Sequence, residues 1–350
     1  MTRFTPWAAT LLACVVAACG KPEQASTPGA GAAKAELLVY TAIEAEELPG
    51  LKQAFEAANT GITVNWVRES TGIITARLLA EKDRPQADVV WGLAVSSVMI
   101  LKQNGLLEPY APVGVENLDP RFVDADRPPS WTGDDAFEAA ICTNTVEAAK
   151  HRLPAPETWA DLTKPAYKGY LAMPNPSSSG TGFLTVVSWL QMMGEEKGWA
   201  YMDRLHANIA RYTHSGSKPC KEVAAGELVA AVGLGFTAAK QKTKGAPITI
   251  VYPAEGVGWD MEANGIVKGT DQLAAAKKLM DFAVSREANE LYNKAYPVVA
   301  YPGVARPVEN YPTDVAAKMI KMDFAWAAAN RERILAEWQK RYDAKSEPRK

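Results

Sequence analysis

The run Asn175-Pro-Ser-Ser-Ser-Gly-Thr-Gly182 gathers hydroxyls and glycines between a segment that reads as a strand and one that reads as a helix. A helix N-terminus offers unpaired N–H groups and the positive end of a dipole, and neighbouring hydroxyls add donors, so the combination suits a tetrahedral oxyanion. No lysine follows in the Walker arrangement, which leaves nucleotide binding unsupported. The plain alternative is a serine-capped helix with no ligand. Glu69-Ser70-Thr71-Gly72 opens a second helix, and Thr213-His-Ser-Gly-Ser217 precedes a third that begins near Pro219. If the three converge, Ser70, Thr71, Ser178, Ser179, Gly180, Thr181 and Ser217 surround one anion.

Carboxylates lie near the same edges. Glu44 follows the first strand, and Asp260 with Glu262 sits in the segment Gly258-Trp-Asp-Met-Glu-Ala-Asn-Gly-Ile-Val267. A buried carboxylate needs a cation or donors, so one that faces a cleft could hold an ammonium group. Trp91, Trp259 and Tyr301 could wall such a site, although single acids are more often solvated and single aromatics more often core. His151, His206 and His214 have no ligand spacing, so no metal site is expected, and nothing calls for a cofactor. Ser215-Gly-Ser-Lys218 matches the S-x-x-K pattern of serine acylases, but S-D-N, K-T-G and G-x-S-x-G are all missing from the chain, so an enzyme is not expected.

These groups need a scaffold. Glu36-Leu-Leu-Val-Tyr-Thr41, Ile62 to Val67 and Asp88 to Trp91 read as strands, with helices at Leu51 to Ala58, Gly72 to Glu81 and Ser96 to Asn104 between and after them. The alternation implies crossover units and a mostly parallel sheet. Ala136 to Thr143 reads as a strand crossing into a second lobe, followed there by strands at Tyr170 to Met173, Leu228 to Leu234 and Ile248 to Tyr252. The segment from Gly258 to Val267 returns. The expected fold is therefore α/β, with residues 36–135 and 263–350 forming lobe 1, residues 136–262 forming lobe 2, and a two-crossing hinge beside the ligand cleft.

The N-terminus carries one positive charge at Arg3 and an apolar run that ends in small residues, which reads as a signal peptide over residues 1–18. Val16-Ala-Ala-Cys19-Gly20 resembles a bacterial lipobox, with Cys19 as the lipidated first mature residue; an ordinary cleavage near Ala18 is the alternative. Residues 19–35 read as a flexible tether. Export makes Cys142 and Cys220 a candidate disulfide, with two buried free thiols as the other possibility. A formal charge of −2 leaves no electrostatic footprint for nucleic acid.

Longer runs resemble a family. Val39-Tyr-Thr-Ala-Ile-Glu44, Asn65 to Glu81, Ala87-Asp-Val-Val-Trp-Gly92 and Met173-Pro-Asn-Pro-Ser-Ser-Ser-Gly-Thr-Gly-Phe-Leu184 look like the solute-binding components of 2-aminoethylphosphonate ABC transporters. Gln191 to Met202, Tyr212 to Cys220, Val299 to Val304 and Phe324 to Ile334 continue the likeness over nearly the whole mature chain. The resemblance implies a type II periplasmic-binding-protein fold, no catalysis, and a monomer that works with a permease and its ATPase from the periplasm, held to the membrane by its lipid alone. It assigns the phosphonate to the seven hydroxyl-cluster residues, the amine to Glu44 and Asp260, and the walls to Trp91 and Tyr301. Other small anions (phosphate, other organophosphonates, sulfonates) are the rivals. Ferric binders of the same fold carry a tyrosine pair where this chain reads Gly233-Leu-Gly-Phe-Thr-Ala-Ala239, which disfavours iron. The same stretch departs from the aminoethylphosphonate binders, which tend to carry Glu-Tyr-Arg-like residues near Phe236 to Ala238.

Overall fold

The computed structural model describes residues 34–348, so the signal peptide, Cys19 and nearly all of the tether lie outside the described residues. Ten strands follow in chain order: β1 (Ala35–Thr41), β2 (Ile62–Arg68), β3 (Val89–Ala94), β4 (Leu107–Glu108), β5 (Thr132–Asn144), β6 (Leu171–Pro174), β7 (Ile209–Thr213), β8 (Ala230–Leu234), β9 (Ile248–Val251) and β10 (Trp259–Val267). They lie side by side in the order β2-β1-β3-β10-β5-β8-β6-β7, with β4 added to β10 and β9 to β5. β1 runs parallel to β2 and β3, and β6 runs parallel to β7 and β8. Parallel neighbours need crossovers, which the helices Leu48–Ala58, Thr71–Ala80, Gly180–Met193 and Glu195–Asn208 provide.

β5 and β10 join the two halves, and both run antiparallel to their partners. All thirteen residues of β5 are buried. Residues 132–138 lie against β10, while residues 139–144 lie against β8 and β9. β10 runs the other way, from Trp259 opposite Glu138 to Ile266 opposite Val89 on β3. A third segment that the sequence reading did not anticipate also meets β5: Ala136 N–H donates to Val298 O (2.9 Å) and Ala300 N–H to Asp134 O (2.7 Å).

Apolar side chains fill both faces of each half. Val39, Val89 and Trp91 pack beneath Leu51, Phe55, Leu279 and Phe282 on one face of the first half, and Val90, Leu93, Val98 and Leu101 fill the other. The second half centres on Trp159, Phe183, Trp189 and Tyr212. Ile334, Trp338 and Tyr342 of the C-terminal helix Phe324–Tyr342 join that second core, and the same helix packs against the helix Val95–Gln103 of the first half, so this segment, expected with lobe 1, touches both lobes. Cys142 of β5 and Cys220 of the helix Lys218–Ala224 are disulfide-bonded with a Cα–Cα distance of 5.9 Å, and the bond closes a separation of 78 residues.

The sequence reading passed over Glu195–Asn208 and β7. β7 is an edge strand, and the polar Arg211 breaks its apolar run. The helix Gly235–Thr243 was also unforeseen, because its outer half is lysine and glutamine.

The last described residues brace the loops that carry the hydroxyls. Glu347 N–H donates to Tyr212 O (2.9 Å), His214 N–H donates to Glu347 Oε1 (2.6 Å), and Lys218 pairs with the same carboxylate. Asn175 Nδ2 donates to Ser346 Oγ (2.9 Å).

Candidate functional site

Two helix starts, one from each half, come face to face. Ser70 is extended (φ −68°, ψ 148°) ahead of Thr71–Ala80 and makes no capping bond with its side chain, which leaves its hydroxyl free. Gly72 N–H crosses between the halves to Ser178 O at 2.9 Å. A Cβ on Gly72 would lie 2.2 Å from Ser177 O, and one on Gly180 would lie 2.9 Å from Thr71 Oγ1, so the approach requires glycine at both positions. At the second helix Ser179 Oγ accepts the N–H of Gly182 (3.2 Å). Among the described residues no hydrogen bond uses the N–H of Thr71, Gly180 or Thr181. Two positive dipole ends held together repel unless something negative sits between them.

Ser70, Thr71, Ser179, Gly180 and Thr181 line one cavity between the halves, together with Ser215 and Gly216 of the third loop and Glu44. Arg68, at the end of β2, lines it too. Its Nε donates to Ile43 O (3.1 Å) and its Nη2 to Glu44 Oε1 (3.2 Å), which fixes the guanidinium plane. The second half supplies Lys221, whose Nζ is 3.7 Å from Glu44 Oε2. Glu44 is thus taken up by two cations and serves to orient Arg68, where the sequence reading gave it a ligand amine. A lone arginine at a strand end belongs to no pattern, so the sequence offered no signal for Arg68.

The cavity lining also includes an acid. This is Glu262 of β10, with Tyr296 O–H reaching Glu262 Oε1 at 3.4 Å. Burial, with the nearby charges of Glu47 and Asp134, holds Glu262 well above the usual carboxylate range. Gly92 (φ +70°) makes room chiefly for Ile43, whose Cγ1 would lie 2.1 Å from a Cβ there, and secondarily for Glu262 Oε2 at 3.1 Å. Among the described residues no group of three or more His, Cys, Asp and Glu is arranged to hold a metal.

Five other placements differ from the sequence reading. Ser178 Oγ turns away and donates to His214 O (2.9 Å). Ser217 Oγ is engaged with Ser215 Oγ (2.8 Å), and it is Ser215 and Gly216 that reach the cavity. Asp260 lies one pleat beyond Glu262, where it accepts Ser96 Oγ–H (2.7 Å) at the start of the helix Val95–Gln103 and the N–H of Met261 (2.8 Å), outside the cavity lining. Trp91 is fully buried against Trp66 and Phe282, with its indole N–H shared between Asp134 Oδ2 and Tyr292 Oη at 3.1 Å each. Tyr301 packs on the first core, with its N–H bonded to Asn289 Oδ1 (2.9 Å). Both faces of this sheet are covered, so strand alternation does not distinguish a core ring from a cleft ring. Tyr296 and Phe137 are the aromatics that do line the cavity.

Comparison with known proteins places this geometry among relatives. Residues 84–326 match the profile of a family described as bacterial extracellular solute-binding protein. An uncharacterized Haemophilus influenzae protein is 30% identical over 266 residues, 75% of this chain and 77% of that one. A Salmonella typhimurium protein with the name "Putative 2-aminoethylphosphonate-binding periplasmic protein" is 26% identical over 238 residues, 65% of this chain and 66% of that one. Among solved structures, the periplasmic binding protein AfuA from Actinobacillus pleuropneumoniae, with exogenous fructose-6-phosphate bound, superposes with a TM-score of 0.83 at 28% identity, over 89% of this chain and 99% of that chain.

Proposed function

We propose, from the premise that the chain belongs to the bacterial extracellular solute-binding proteins, that it captures a small organic phosphonate or phosphate ester in the periplasm for an ABC importer. Its fold is that of the type II periplasmic binding proteins, two α/β lobes joined by crossing strands, and family and fold alike are those of solute-binding proteins rather than enzymes.

One observation carries the reading of the ligand's head group: two helix N-termini from opposite halves, the hydroxyls of Ser70, Thr71, Ser179 and Thr181, and the Arg68 guanidinium line one cavity. Such donors match an oxyanion with several oxygens, and arginine adds a charge-assisted fork. Residues from both lobes take part, so the ligand favours closure over the open arrangement. We take 2-aminoethylphosphonate or a close aminophosphonate as the first candidate, supported by the long sequence runs and by the Salmonella relative's name. A sugar phosphate is the second, supported by the ligand in the AfuA structure. The lipid anchor at Cys19, the monomeric state and delivery to a permease with its ATPase are part of the same proposal.

Titration calorimetry on the ligand-free protein with 2-aminoethylphosphonate, fructose 6-phosphate, taurine and ferric citrate tests it. Binding of either phosphorus compound, with a raised thermal midpoint, is the expected result. Binding of taurine or iron alone overturns it.

A further inference from the structure

Glu262 is not alone on its wall. Asp135 of β5 stands directly opposite it in the antiparallel β5–β10 pairing, so the two side chains leave the same face of the sheet as immediate neighbours. Asp135 is fully buried, and neither of its carboxylate oxygens has a hydrogen-bond partner among the described residues. A buried, unpartnered carboxylate is costly. Like charges directly opposite across a strand pair add to that cost. Glu262 meets only the long contact from Tyr296. The cavity is therefore lined both by donors, from the helix starts and Arg68, and by the unspent acceptor oxygens of Glu262.

We propose that Glu262, positioned by Asp135 behind it, takes the hydrogen-donating tail of the ligand, so that the protein selects phosphonates or phosphate esters bearing an amine or hydroxyls over the bare oxyanion. This inference rests on the reading of the helix starts, their hydroxyls and Arg68 as the oxyanion site. Inorganic phosphate or ethylphosphonate would satisfy the head-group donors and leave the acid pair empty.

The pair also makes the chemistry of the tail readable. Glu44 and Glu47 approach from the loop after β1, Asp134 and Glu138 from β5, and Tyr292 and Tyr296 from the segment beside it. The surrounding cations are Arg68, Lys221 and Lys240, and these are engaged by Glu44 and Glu46. With that surplus of acid, Asp135 and Glu262 hold a proton between them in the closed cavity. An ammonium tail replaces that proton, which leaves to the buffer, whereas a hydroxyl tail donates its hydrogen bond and leaves the proton in place.

The test is calorimetry with two matched pairs of probes, 2-aminoethylphosphonate against ethylphosphonate and fructose 6-phosphate against inorganic phosphate, in two buffers of different ionisation enthalpy. In at least one pair the donor-bearing compound should bind at least tenfold more tightly than its bare partner. Glu262→Met, which keeps the length and removes both oxygens, should shrink that ratio to within threefold. Asp135→Asn should change the number of protons released with 2-aminoethylphosphonate, or cut the fructose 6-phosphate preference, with a thermal midpoint no lower than that of the unaltered protein, and it decides the matter should Glu262→Met fail to fold. Equal affinities within both pairs, a ratio that survives Glu262→Met, or an Asp135→Asn protein in which both the proton release and the fructose 6-phosphate preference are unchanged overturn the inference and leave the oxyanion reading intact. Binding by none of the four removes the oxyanion reading, and this inference falls with it.

Discussion

Among the described residues Arg68 is the one full positive charge that lines the cavity, and Ile43 O and Glu44 hold its plane. A charge-assisted hydrogen bond contributes about 2 kcal/mol, so Arg68→Gln should weaken binding of any phosphorus oxyanion roughly thirtyfold in a calorimetric titration. The loss should fall equally on ligands with and without a donating tail, because the guanidinium meets only the head group. A loss confined to one class would place Arg68 at the wrong end. Thr181→Val removes one neutral donor and should cost less, about 1 kcal/mol or fivefold by the same measurement.

At the scale of elements, the halves meet at Gly72, where a methyl group would strike the backbone oxygen of Ser177. Gly72→Ala should therefore leave the ligand-free protein's thermal midpoint within a degree or two and lower apparent affinity by at least tenfold, because it penalises only the closed arrangement. A small-angle scattering profile that contracts normally on adding ligand would count against this account. The disulfide belongs to the same scale: a closed loop of this length confers about 2–4 kcal/mol, and reduction should lower the thermal midpoint while loosening the helix that follows the 213–217 loop. The strand and helix alternation was readable because the apolar runs were long, and Ser70 and Ser179 stood out because helix starts favour hydroxyls. Glu262 was visible beside Asp260, but which of the two faces the cavity depends on where β10 meets its neighbours and on a register shift after Glu262, and neither leaves a mark in the local sequence. Trp91 misled because a ring beneath helices and a ring beside a ligand have the same neighbours in sequence.

For the whole molecule, the buried acids at the junction set how stability responds to pH. Burial pushes Glu138 up to about 7 although Tyr252 and Tyr311 both donate to it, Glu47 up to about 8, and Asp260 up to about 6. Unfolded, each would titrate near 4, so between there and 8 the folded chain holds protons that the unfolded chain has lost. Their contribution is complete below about 4 and is lost as pH rises through 6 to 8. Asp161 works in the opposite direction, held down to about 2 chiefly by Lys164, and its contribution disappears only in stronger acid. The ligand-free thermal midpoint should accordingly peak near pH 4 and fall toward pH 8, and a scanning calorimetry series that rises over that interval would contradict the assignment. The bracing of both hydroxyl loops by Ser346 and Glu347 has a practical side. A version of the chain shortened to stop at Lys345 should keep every cavity-lining group and still bind more weakly in a calorimetric titration, because the 175–182 and 213–217 loops lose the groups that hold them.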